Sequence, residues 1–198
     1  ASAKTPNMLI VMDEAFAGFY RQSREEVRKL DPGAPVQISG TQNQTAYNGC
    51  DWRLLTQVFD SMAPYGGIQT ELMRSFAPEN YRGLRYLGGY GKSTVPSHDL
   101  WLEAFRYRGA GMQIYIDEVM LNCDYTADPI EDIARETSPL RHGIGKILIH
   151  SMPLYRVGLL FSSPSQKIAS ITDQEALYDS NAAGWAALLN EAGLLWRF

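Results

Sequence analysis

LIVMDEAF (residues 9–16) runs four apolar residues straight into the acids Asp13 and Glu14. Two structures fit it. As a buried strand it would deliver Glu14 to the mouth of an α/β barrel, and residues 15–30 would form the helix that follows. As a helix it would continue downstream, because Met8, Val11, Met12, Ala15, Phe16, Phe19, Ser23, Val27 and Leu30 keep one period of about 3.6 residues without a break at Asp13. Within the stretch itself no proline or glycine marks a helix start, and Asp13 is the one residue able to cap.

Outward from this stretch, Asp31-Pro32-Gly33 ends the first helix, since proline cannot continue it and glycine allows a left-handed cap. PVQISG reads as a short buried strand followed by the polar loop TQNQTAYNG. DWRLLTQVFDSM reads as a helix capped by Asp51, APYGG as a strand end or turn, and IQTELMRSFAPENY as a helix or irregular connection. GLRYLGGY is a strand candidate, HDLWLEAFRYRGA a helix and MQIYIDEV a strand. Strands alternating with helices argue for a parallel α/β sheet or barrel. After Tyr125 a polar connector leads to the apolar strand RVGLLFS, its polar exit SSPSQ, the helix AAGWAALLNEAG and a closing LLWRF.

Composition narrows the function classes. The 198 residues suit one sizeable domain or slightly more, and 45% hydrophobic with 20% charged residues is ordinary for a soluble protein. A net charge of -4 gives no electrostatic footprint for nucleic acid or an anionic membrane. No apolar run approaches the roughly 20 residues that span a bilayer. The expectation is a soluble protein, cytoplasmic or periplasmic. The N-terminal ASAKTPN lacks the apolar core of a signal peptide and reads as a processed or artificially defined end. Cys50 and Cys123 form no CxxC, and His98, His142 and His150 show no metal-ligand spacing, so neither a disulfide framework nor a metal is expected.

GGYGKST (residues 88–94) imitates a phosphate-binding loop. The pattern G-x-x-x-x-G-K-[ST] needs a glycine where Tyr86 stands, and Pro96 follows where the loop's helix should run. A glycine-rich turn is the simpler reading. Acids at the C-terminal ends of barrel strands are more informative, because that face carries the chemistry. Glu14, Glu71, Asp117 and Glu118 are the candidates; each could equally be a solvated surface charge. Tyr47, Trp52, Tyr65, Tyr90 and Trp101 crowd the same loops, as sugar-stacking rings or as core.

The order VRKLDPGAPVQISG, GCDWRLLTQVFDSMAPYGG, QTELMRSFAP, GGYG, WLEAFRYRGAGMQIYI resembles the C-terminal half of a clan-A glycoside hydrolase barrel, most of all β-galactosidases of family forty-two and their multidomain relatives. HGIGKILIHSMPLYRVGLLFSSPSQ and GWAALLNEAGLLWRF resemble the start of the flavodoxin-like domain that follows in those enzymes. The resemblance implies an α/β fold: about strands five to eight of a partial (β/α)8 TIM barrel over residues 1–125, a helical connector over 126–150, and the start of a flavodoxin-like, trimerisation-type domain over 151–198. It implies an excerpt of a larger enzyme, a homo-oligomer or a chain needing the rest of its polypeptide, with a carbohydrate substrate and no cofactor.

The activity it implies is retaining hydrolysis of β-linked galactosides, in which one carboxylate forms a glycosyl-enzyme and another protonates the leaving oxygen. The family's nucleophile belongs at the end of the seventh strand, where this chain has Gly88-Gly89 and no acid. Glu71 is then the nucleophile candidate and Glu14 the acid/base on the strand reading of residues 9–16. On the helix reading the acid/base would lie ahead of residue 1. Tyr65, Trp52, Trp101, Asp117 and Glu118 would contact substrate. A non-catalytic carbohydrate-binding or assembly module derived from such an enzyme is the rival, favoured by the missing acid.

Overall fold

The computed structural model describes residues 5–41, 43–64, 68–78, 84–87, 111–114, 138–151 and 154–198. It resolves the opening stretch as helix. Pro6–Leu30 forms α1, 25 residues long, with Thr5 at the cap and Pro6 in the first turn. Proline is suited to that position because its missing N–H would have no partner there and its φ is already helical. Asp31 ends the helix in extended backbone, and its carboxylate accepts from the N–H of Gly33 (3.0 Å).

The side that α1 buries is a correction. The buried residues are Leu9, Asp13 and Ala17, while Val11, Phe19 and Leu30 from the long apolar row stand 61%, 63% and 91% exposed. Polar anchors fix this choice. Asp13 faces Lys167, and Arg24 and Arg28 both reach the carboxylate of Asp60 (2.7 and 2.9 Å).

Gln37–Thr41 (β1) pairs in parallel with Ser61–Pro64 (β2), register Gln37 to Ser61, Ile38 to Met62. Trp52–Leu55 (α2) lies between them, capped by the Asp51 side chain accepting from the Arg53 N–H (2.9 Å). This helix is shorter than DWRLLTQVFDSM suggested, and Ser61 and Met62 belong to a strand. Ile68–Phe76 (α3) follows, then Leu84–Leu87 (β3), which pairs in parallel with Gly111–Ile114 (β4). β2 and β3 are neighbours. A π-helical turn, Leu140–Ile144, runs into α4 (Gly145–His150). Val157–Gly158 (β5) and Trp196–Arg197 (β6) form a third short parallel pair around α5 (Ser163–Ile171) and α6 (Glu175–Glu191). SSPSQ, read as a polar exit, is the start of α5, with Ser162 accepting from the Ser165 N–H.

The main apolar cluster gathers Ala17, Cys50, Trp52, Leu55, Val58, Phe59, Met62, Leu72 and Met73, and Phe161 and Phe198 pack onto it from the C-terminal segment. Gly49 closes the loop before α2 at φ 72, where an added Cβ would meet the Cβ of Phe16 at 3.0 Å. Only glycine combines that conformation with that approach.

Candidate functional site

Glu71 sits in the first turn of α3, directly after the connection from β2, and is 6% exposed. Its carboxylate forms an ion pair with Arg74 one turn along. The guanidinium of Arg74 also reaches the carbonyl oxygen of Trp196 (3.4 Å) and lies 5.2 Å from the centre of the Tyr155 ring. Arg197 approaches the same ring at 5.8 Å.

Two residues before Glu71, Gln69 anchors the loop that precedes α2. Its Oε1 accepts from the indole Nε1–H of Trp52 (2.6 Å) and from the backbone N–H of Gln44 (2.9 Å). Trp52 has no solvent exposure. Its ring therefore belongs to the core and is closed to a sugar, which corrects its assignment as a substrate contact.

The polar loop is likewise committed to holding the protein together. Gln44 donates to Ser163 (2.9 Å) and Gln166 (3.3 Å), Gln166 donates to Asp179 (2.9 Å), and Glu175 accepts from the N–H of Ala46 (2.9 Å). Asn48 accepts from the N–H groups of Thr45 and Cys50 and donates to the carbonyl of Asn43. Burial pushes the Asp179 carboxyl up; the Gln166 donor opposes that and Glu175 adds to it.

Beside this loop lies an ion pair that sequence reading missed. Lys167 of α5 meets Oδ2 of Asp13 on α1, with both side chains buried. Oδ1 of Asp13 has no hydrogen-bond partner among the described residues. Burial raises the Asp13 carboxyl above its ordinary value, Lys167 pulls it down, and Asp51 and Arg53 act in opposite senses. Burial, with the nearby Asp13, also pushes the Cys50 thiol up, away from the thiolate a nucleophile needs.

Of the residues selected from sequence, Glu71 is buried and paired, and Trp52 is buried and hydrogen-bonded to Gln69. Glu14 stands exposed on α1, and the strand that would have carried it to a barrel mouth is not formed. Tyr65, Trp101, Asp117 and Glu118 lie outside the described residues. A cleft of about 320 Å³ opens elsewhere, between Leu159, Tyr178, Asn181, Trp185 and Phe198, and none of the selected acids lines it. Among the described residues no three His, Cys, Asp or Glu side chains gather as a metal site, and no helix is long and apolar enough to cross a membrane.

No family model, curated protein or solved structure matches the chain. Gln69, Arg74 and Lys167 were absent from the sequence-derived site. For Arg74 the i, i+3 spacing from Glu71 was a readable signal; nothing local pairs residue 167 with residue 13.

Proposed function

We propose that the chain is part of a retaining glycoside hydrolase acting on β-linked galactosides or similar sugars, with Glu71 as the carboxylate that becomes glycosylated. The observation carrying this reading is the position of Glu71: a buried acid in the first turn of the helix that follows a parallel-paired strand. In α/β barrels that connection lies on the catalytic face. The parallel pairs β1–β2 and β3–β4, with β2 beside β3, support the wider proposal of barrel strands five to eight. The second proposed unit, the start of a flavodoxin-like domain, rests on the parallel pair β5–β6 with α5 and α6 between its strands.

In the reaction, Glu71 attacks the anomeric carbon while a second carboxyl protonates the departing oxygen, and water then releases the sugar. Tyr65, Trp101, Asp117 and Glu118 are proposed substrate contacts. Glu14 and Trp52 are not carried into the proposal, for the reasons given above. No cofactor enters this chemistry.

A 2-deoxy-2-fluoro-β-galactoside with a good leaving group tests it, because the fluorine slows breakdown of the glycosyl-enzyme. On the complete polypeptide encoded by the gene, peptide mass mapping should find the adduct on Glu71. Hydrolysis with the adduct on another residue would remove Glu71 from the role.

The ion pair with Arg74 favours a second reading, a carbohydrate-binding module without catalysis, since a carboxylate neutralised by a fixed guanidinium also suits a structural part. Here Glu71→Gln would weaken sugar binding only modestly, and no hydrolysis would be found in the parent protein.

A further inference from the structure

Arg74 is held from the C-terminal segment as well as from its own helix. Its guanidinium touches the Glu71 carboxylate on one side, the Trp196 carbonyl at 3.4 Å on another, and the ring of Tyr155 at 5.2 Å. The same region docks on α3 a second time, because the Phe198 N–H donates to the hydroxyl of Ser75 (2.9 Å). A guanidinium is planar and carries five N–H donors in a rigid fork, so a ring beside it and a carbonyl in front of it fix where the remaining donors point.

We infer that Arg74 and Tyr155 are positioning residues for Glu71: the segment that follows residue 151 sets the orientation of the candidate nucleophile through the guanidinium of Arg74. This rests on the assignment of Glu71 above. It adds that the proposed second domain takes part in the site, which the barrel alone would not require. Oriented attack on an anomeric carbon demands close placement, and a misplacement of about 1 Å is enough to lower a rate by about a hundredfold. Arg74 makes no covalent change in this scheme.

The test uses the complete polypeptide, the fluorosugar label and two pairs of variants. Tyr155→Leu removes the ring and Tyr155→Phe keeps it; Arg74→Ala removes the guanidinium and Arg74→Lys keeps only the charge. Near-ultraviolet circular dichroism identifies any variant that has lost its tertiary packing. For folded variants, Tyr155→Leu should lower kcat and the rate of labelling at Glu71 by about tenfold or more with KM within about threefold, while Tyr155→Phe stays near wild type. Arg74→Ala should fall further and regain rate when guanidinium ion is added, whereas Arg74→Lys should be poorly active. If Tyr155→Leu does not fold, the guanidinium rescue of Arg74→Ala decides. Labelling of Glu71 at wild-type rate in the folded variants, or no rescue, overturns the inference and leaves the assignment of Glu71 standing. A label on a residue other than Glu71 overturns the assignment itself.

Discussion

The ammonium of Lys167 rests against Oδ2 of Asp13, and the two residues are 1% and 3% exposed. Two helices far apart in sequence thus share one buried ion pair. Desolvating both ions costs more than their attraction alone returns, and the unbonded Oδ1 of Asp13 adds to that cost. Removing a single partner is worse, because the other charge stays buried. Asp13→Asn or Lys167→Met should each lower unfolding stability by about 3–5 kcal/mol, while the double replacement Asp13→Leu, Lys167→Met should return to wild type or exceed it. Urea unfolding of the four proteins gives the answer. Singles that unfold like wild type would place the pair in water.

Two aspartates should shape the pH dependence of stability in opposite directions. Burial alone would raise Asp60, but the N–H of Val36 with Arg24 and Arg28 outweighs it and holds the carboxyl below its ordinary 3.8. Its contribution is therefore present above pH 3.8 and lost as pH falls through the lowered value. Asp13 is raised above 3.8, so its contribution is complete below 3.8 and lost as pH rises through the raised value. Unfolding midpoints measured across pH should show a falling arm on each side. Asp60→Asn should flatten the acid arm, and Asp13→Asn the arm above 3.8. An unchanged upper slope in Asp13→Asn would contradict the burial of that carboxyl.

Gln69 accepts from two buried donors, the Trp52 indole and the Gln44 backbone. Gln69→Leu preserves bulk but leaves both donors without that acceptor, at about 1–3 kcal/mol for each group left unsatisfied. Gln69→Glu keeps the acceptor and should lose less. Equal losses in the two variants, read from thermal melts, would mean that shape at residue 69 matters more than hydrogen bonding.

The outer side of α1 carries Val11, Phe19 and Leu30 in solvent. An apolar row of this kind favours association. Light scattering should find the 198-residue chain larger than a monomer, and Val11→Ser with Phe19→Ser and Leu30→Ser should shift it toward the monomer with little loss of helix. A monodisperse wild-type monomer would count against both the oligomer and the barrel-excerpt expectation.

Much of the secondary structure was legible because it is written locally. The long period through Leu30 and the stop at Asp31-Pro32-Gly33 both depend on neighbours within a turn or two, whereas IQTELMRSF, read as either helix or irregular connection, is helix. The start of α1 was missed, although Pro6 stands just upstream of the stretch under debate. What failed was orientation. The apolar row of α1 pointed to one face, and partners distant in sequence, Lys167 and Asp60, selected another. The same limit governed the site. Glu71 stood out as an acid, yet its guanidinium neighbour is itself fixed by residues 155 and 196, which no pattern around residue 71 reveals. Trp52 looked like a sugar platform because an aromatic in a polar loop has the same composition whether it faces solvent or core.

The bonds of Gln44 bear on how this chain can be divided. Its side chain and backbone join the loop before α2 to Ser163, Gln166 and Gln69 at once. A cut at residue 125, where composition changes, would strip those amides of their partners and open a water-accessible seam beside Trp52. Residues 43–52 and 163–179 are therefore tied into one physical unit, and moving either into another protein without the other should leave buried amides unpaired.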